Sequence, residues 1–354
     1  VEPDIWMPVY LLIPPGSGRH SDCVLAPHGH QGAGKYSVAG CSEIPAVAEA
    51  IDRFHYDYGL YLARLGYVAV CPDARGFGER RDLAFQKDEE NAFMRGTCFY
   101  LAHMAEPLGM TVAGMNTWDL MRLIDYLEER GEWNIEHLGC VGFSGGGLQT
   151  LYLAALDERV RYAVISGYLY GFKDSLLELN GNCSCNYVPG LWNALDMGDI
   201  ASLIAPRPLV IQSGRADHLN GPRGIVNAEE QVEIVRKAYG LNGAAECLVH
   251  RCYEGGHQFH EEDLEEDLKR MKFFTNLRLD DKIHSINKGD LIHMDIREDL
   301  NIYMQIIRLL DESVNGYLYA CDLQDDRMYF TDKICRRFAL PFSGEQGIPF
   351  KEWE

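Results

Sequence analysis

The chain has 354 residues, 47% of them hydrophobic, with 33 basic against 53 acidic side chains and a formal charge of -20. That much apolar material can build a large α/β domain with something smaller beside it, and the negative excess repels a phosphate backbone or an anionic membrane surface. No nucleic-acid or membrane partner is expected: no run approaches the roughly 18 apolar residues of a spanning helix, and the start, from Val1 to Ile5, lacks the pattern of a signal peptide. The chain does not begin with Met, which leaves room for an upstream segment. Eleven cysteines is an odd number, and Cys23, Cys71 and Cys140 sit inside apolar runs, which fits reduced thiols and a cytoplasmic protein.

Val9-Tyr-Leu-Leu-Ile13 followed by Pro14-Pro15-Gly16 reads as a strand and turn, and Cys23-Val-Leu-Ala26 as the next strand, running into Pro27-His28-Gly29-His30. The stretch from Gly29 to Lys35 fits the first seven positions of a phosphate-binding loop. Tyr36, however, cannot place the required Ser/Thr hydroxyl on Mg²⁺, and Ser37-Val-Ala-Gly40 starts a helix poorly. The competing reading is a loop whose backbone N–H completes an oxyanion hole. A third option, His28 and His30 as a metal pair, ranks last because it lacks a carboxylate or histidine partner in sequence.

A helix is expected from about Val47 to Leu65 and a buried strand over Gly66-Tyr-Val-Ala-Val-Cys-Pro-Asp73. The segment from Ala74 to about Glu106 reads as irregular and charged, its arginines paired with nearby acids rather than holding an anionic substrate. A helix through Leu120, Leu123, Ile124 and Leu127 leads into an apolar strand from Leu138, and Gly142-Phe-Ser144-Gly-Gly146 then turns sharply into a helix carrying Leu148, Leu151, Tyr152 and Ala155. This is the pattern of a nucleophile elbow: glycines avoid a clash in the turn, Ser144 is held out at its apex, and the helix N-terminus faces it.

After the strand at Tyr162-Ala-Val-Ile-Ser166, about forty residues (167–207) show weak periodicity. A connection of that length in a compact domain is more often a lid or binding loop than a linker. Its Tyr168, Tyr187 and Trp192 are candidates for substrate walls, with loop anchoring as the equal alternative. Cys183-Ser-Cys185 suggests zinc, but no second pair stands at a fitting spacing, so no zinc site is expected. Strands at Pro208–Gly214 and Glu246–His250, with a helix near Glu229–Tyr239 between them, are followed by loops carrying Asp217 and His257. The chain order serine, acid, histidine, with each residue at a strand end, is that of α/β-hydrolases. In this reading Ser144 is the nucleophile, His257 the base and Asp217 its orienting acid. His260 is the rival base. The N–H of Gly145, with one from His30 or Gln31, forms the oxyanion hole.

From Val1 to about Thr275 the chain resembles the acetyl-xylan-esterase-like, dienelactone-hydrolase-like group of α/β-hydrolases. The resemblance lies in Pro27-His-Gly-His30, the stretch from Cys71 to Arg80, Gly142-Phe-Ser-Gly-Gly-Gly147, the stretch from Cys183 to Gly190, and Ala205-Pro-Arg-Pro208. It implies a mostly parallel, doubly wound sheet and a serine esterase acting on small acyl esters without a metal or organic cofactor, with acetylated sugars as one substrate class. The hydrolase domain is expected over residues 1–279, with an insertion at about 168–206. A linker helix near Asp295–Leu310 then leads to Gly316–Asp322 and Arg327–Thr331, which resemble the opening of a PAS sensor domain cut short at 354. Two rival functions remain: a peptidase of the same fold, and a catalytically silent, ligand-binding input module of a signalling protein.

Overall fold

The computed structural model describes residues 1–85, 89–179 and 182–287, together with three short strands beyond. By its contacts the chain divides into two compact units, Val1–Asp280 and Asp281–Glu354.

The first unit is built on seven strands, β1 (Val9–Leu12), β2 (Asp22–Leu25), β3 (Val68–Pro72), β4 (Asn134–Phe143), β5 (Tyr162–Ser166), β6 (Leu209–Gly214) and β7 (Leu248–Tyr253), which form one sheet in the order β1-β3-β2-β4-β5-β6-β7. β1 runs antiparallel to β3, and every other pairing is parallel. Alternation along the strands sorts side chains to the two faces. Leu25, Val70, Cys140, Ile165 and Ile211 pack on one side under the helices α5 (Val112–Arg130), α6 (Gly145–Leu156), α7 (Met197–Ser202) and α8 (Ile225–Leu241). Val24, Ala69, Val141, Val164 and Val210 pack on the other, against α3 (Tyr58–Arg64) and α9 (Leu264–Asn287). Burial on both faces explains why the central strands read as continuous apolar runs.

Local signals set the helix ends. The Thr111 hydroxyl accepts from Gly114 N–H at 3.1 Å to start α5, and Gly131 at φ 58° stops it. Asp196 and Asp199 form a reciprocal capping box on α7 inside the long insertion. The helix expected over Val47–Leu65 is two helices, α2 (Pro45–Phe54) and α3, because His55 adopts φ 53° and its N–H closes on Ile51 O. The charged stretch before Glu106 carries a further helix, α4 (Cys98–Ala105).

The arginines after β3 are internal. Arg75 grips Asp119 through Nε at 2.9 Å and a second nitrogen at 2.7 Å and also meets Glu2, while Arg80 reaches the same Asp119 at 2.8 Å. Nor does Lys35, at the head of α1 (Lys35–Val38), cradle phosphate: its side chain is 1% exposed and its Nζ donates to Asp73 at 2.6 Å. Asp73, wholly buried, also accepts from the N–H groups of Lys35 and Glu79, at 2.9 and 3.0 Å. Lys35 Nζ also meets the half-exposed Glu79 at 2.5 Å, so Asp73→Ala removes the buried partner of the ammonium and leaves it that one carboxylate, and we expect it to lower stability by about 3 kcal/mol, read as a shifted midpoint in urea unfolding. A change below about 1 kcal/mol would mean that water or Glu79 takes over the charge.

In the second unit β8 (Tyr319–Asp322) pairs antiparallel with β9 (Arg327–Phe330), and β10 (Ile348–Pro349) adds to the far side of β9. The linker helix expected over Asp295–Leu310 and most of the PAS-like segment lie outside the described residues.

Candidate active site

β4 passes directly into α6 through Ser144, which stands at φ 57°, ψ -121°. A residue bearing a Cβ enters that region only when its surroundings hold it there. Two glycines make the turn possible: a Cβ on Gly142 would lie 2.2 Å from Gly146 O, and one on Gly146 would lie 2.1 Å from Pro27 O. Ser144 N–H donates to Ser166 O at 2.9 Å, tying the turn to the end of β5.

The loop after β6 brings Asp217, and the loop after β7 brings His257. His257 Nε2 lies 2.8 Å from Ser144 Oγ, and its Nδ1 lies 2.7 Å from Asp217 Oδ2. Asp217 is buried, and its Oδ1 accepts from Leu219 N–H at 2.8 Å, leaving Oδ2 for the imidazole. With a carboxylate at Nδ1, the proton belongs on that nitrogen, and Nε2 is left to accept from the serine hydroxyl. The Phe143 ring flanks His257 at 4.6 Å.

His260, the other candidate base, is 2% exposed and stacked on Tyr253 at 4.0 Å. Burial pushes its pKa down by disfavouring the charged ring, against the pull of Glu262, whose carboxylate lies 3.5 Å from Nδ1. The structure thus brings Ser144, Asp217 and His257 together and leaves His260 in the packing of its loop.

Gly145 N–H is the first of α6 and has no acceptor within the helix. The loop after β2 lies against it so closely that a Cβ on Gly29 would sit 3.0 Å from Gly145 N. In that loop His30 O accepts from the Tyr56 hydroxyl, Gln31 is exposed at φ 60°, and Gln149 Nε2 donates to His28 O at 2.8 Å, joining the loop to α6. His28 is not a metal ligand. Its Nδ1 donates to Gly29 O at 2.7 Å and its Nε2 accepts from Ala74 N–H at 3.0 Å, so backbone groups occupy both nitrogens. A cavity of about 20 Å³, room for a single water, lies between Gly29, His30, Phe77, Gly145 and Cys185.

The three aromatic residues singled out as substrate walls behave as anchors of the insertion. Tyr168 is 3% exposed and its hydroxyl donates to Asn186 Oδ1 at 2.8 Å. Tyr187 donates to Leu176 O at 2.7 Å, and Trp192 stacks on Phe172 at 5.3 Å. A groove of about 420 Å³ at Phe172, Leu177, Trp192 and Asp199 lies in the insertion and includes neither Ser144 nor His257. The sequence reading missed a second grouping. Cys183 and Cys185, set aside for want of a second pair, are joined by Cys98 and by His30 of the loop after β2, the four ligand atoms lying within 4.8 Å of one another.

The sheet order, the strained serine between β4 and α6, and the acid and histidine at later strand ends define an α/β-hydrolase fold. Residues 2–294 match the model of the Abhydrolase family, and the chain belongs to that family. Over 242 residues it is 28% identical to YtaP of Bacillus subtilis (strain 168), a protein named provisionally as a hydrolase, covering 68% of this chain and 74% of that one. Among solved structures, a Bacteroides fragilis NCTC 9343 protein titled provisionally an acetyl xylan esterase superposes with a TM-score of 0.55 at 19% identity, over 69% of this chain and 61% of its own. This chain therefore spans less than two thirds of that protein. A glucuronoyl esterase from Teredinibacter turnerae T7901 gives a TM-score of 0.51 at 16% identity, over 75% of this chain and 68% of its own. At these identities the two structures speak to the fold. No described helix is long and apolar enough to cross a membrane.

Proposed function

We propose that this chain is a serine hydrolase that cleaves short-chain carboxylic esters through an acyl-enzyme. The observation that carries the reading is the hydrogen-bonded run from Asp217 through His257 to Ser144 at the apex of a strained turn. His257 takes the hydroxyl proton as Ser144 attacks the ester carbonyl, and Asp217 holds the imidazole in its productive tautomer and stabilises the imidazolium. Gly145 N–H, with that of His30 or Gln31, receives the developing oxyanion, where one such donor is worth about 2.7–4 kcal/mol. The same His257 returns its proton to the leaving alcohol. It then activates the water that frees the acyl group.

A small acyl group suits the insertion. A long-chain lipase gains about 0.8 kcal/mol per buried CH₂ and needs a continuous aliphatic groove to collect it. The insertion here carries no such aliphatic run in its sequence: Tyr187 and Trp192 are engaged in anchoring it, and its stretch of asparagines and glycines from Asn180 to Asn186 suits a polar, sugar-like alcohol such as an acetylated saccharide. Along a series of acetyl, butyryl, octanoyl and palmitoyl esters of one alcohol, kcat/KM is expected to be highest at the short end. A steady rise through octanoyl would mean that the insertion hides an acyl channel.

We place this activity within residues 1–279. Leu264, Leu268, Met271 and Thr275 of α9 are buried in the first unit, and Lys272 Nζ bonds Asp22 at 2.5 Å, so the helix is needed at least that far. A chain ending at Leu279 is expected to remain folded and hydrolyse acetyl esters at the rate of the full chain. Insoluble expression of that shortened chain would show that later residues complete the hydrolase core.

A further inference from the structure

Three thiols and one imidazole from separate parts of the chain converge beside the oxyanion loop. Cys98 opens α4, His30 follows β2, and Cys183 and Cys185 belong to the long insertion. Cys98 Sγ lies 3.2 Å from Cys183 Sγ and 3.6 Å from His30 Nε2, and Cys185 Sγ lies 3.2 Å from the same Nε2. A tetrahedral zinc ion with Zn–S of about 2.3 Å and Zn–N of about 2.05 Å sets its ligands about 3.8 Å apart for two sulfurs and about 3.6 Å for sulfur and nitrogen. Those separations fall between the short contacts here and the 4.8 Å that bounds the group.

We propose that His30, Cys98, Cys183 and Cys185 form a closed Cys₃His zinc site that fastens the insertion to the loop flanking Ser144. Four protein ligands leave no open position for water or substrate, which is the pattern of a structural site and not of a hydrolytic one. Three thiolates also select for a thiophilic ion over magnesium or calcium. On binding, the thiol protons pass to solvent.

The surroundings are those of a held ligand set. Cys98 and Cys185 are buried. Asn186 Nδ2 lies 3.7 Å from Cys185 Sγ and donates to Cys183 O at 2.9 Å, while the buried Tyr168 hydroxyl fixes the amide by donating to its Oδ1. Such N–H donors to thiolate, themselves oriented by a further partner, tune and position metal ligands. The Phe77 ring meets His30 edge-on at 5.1 Å. With the ion on Nε2, the imidazole proton sits on Nδ1. That nitrogen faces Gly145 so closely that a Cβ there would stand 2.9 Å from it. The ion would therefore fix both the loop that bears His30 and Gln31 and the imidazole packed against the residue after Ser144.

The test is elemental analysis of the full chain purified in the presence of a thiol reductant. About one zinc ion per chain is expected in the wild type and in Ser144→Ala, and about a tenth of that or less in Cys98→Ser and in Cys185→Ser. Should a cysteine variant fail to fold, the wild type stripped by a chelator and titrated with Co²⁺ gives a second readout. It is expected to develop the intense visible bands of tetrahedral cobalt and sulfur-to-cobalt charge transfer in the near ultraviolet, saturating at about one equivalent. Metal-free wild type that gives no such bands would overturn the site, as would zinc retained undiminished in both cysteine variants. Neither readout depends on ester turnover, so failure of the esterase reading leaves the metal result standing.

Discussion

Ser144→Ala is expected to lose ester hydrolysis by at least about 10⁴-fold in kcat and to escape labelling by a fluorophosphonate, while its circular dichroism and urea midpoint stay near those of the parent. The side-chain oxygen has one described partner, His257 Nε2, so its removal breaks that single hydrogen bond. Alanine also keeps the Cβ that the backbone already accommodates at φ 57°. The turn itself is held by Ser144 N–H on Ser166 O and by the close approach of Gly142 to Gly146, neither of which involves the hydroxyl. Labelling at the parent rate would sink the assignment and turn attention to another nucleophile.

Asp217→Asn tests the orientation of the base rather than the nucleophile, and we expect a loss of about 10⁴-fold in kcat with KM little changed. The asparagine oxygen can still accept from Leu219 N–H, so the loop after β6 should hold. Its amide nitrogen then faces His257 Nδ1 and donates to it, which places the imidazole proton on Nε2, where the ring can no longer accept from Ser144. A loss below about tenfold would show that Asp217 serves the loop and not the imidazole. The measurement is a full Michaelis series on a chromogenic acetyl ester for both proteins.

What could be read from the sequence was whatever is written within a few neighbours. Gly142-Phe-Ser-Gly-Gly146 encodes strand, turn and helix in five positions, because the clash that Gly142 avoids, with Gly146 O, arises within that same turn, whereas the contact of Gly146 with Pro27 O could not be read there. Asp217 and His257 could be picked out only through chain order, and it is the geometry that sets His257 between Ser144 and Asp217. Features decided at long range were hidden. The helix over 47–65 breaks at His55, whose Nδ1 meets Phe259 O at 3.2 Å from 204 positions away. Cys98 looked ordinary because Cys183, its sulfur neighbour, comes 85 residues later. Tyr168 could be nominated as a wall because its aromaticity is visible in sequence, whereas its burial and its bond to Asn186 are not.

His257 hangs from the loop after β7, one of the two edge strands of the sheet, whose six residues are all only half-buried and which is hydrogen-bonded on one flank, to β6. Rims of this kind open locally at lower free energy than a sheet's centre, so a small population of molecules will have a parted rim while β2, β4 and β5 remain sealed. In those molecules the imidazole has left the serine. Warming or dilute denaturant should accordingly silence the chain as a catalyst before any probe of the interior registers a change, and its working lifetime would be governed by the anchoring of one strand rather than by the stability of the whole.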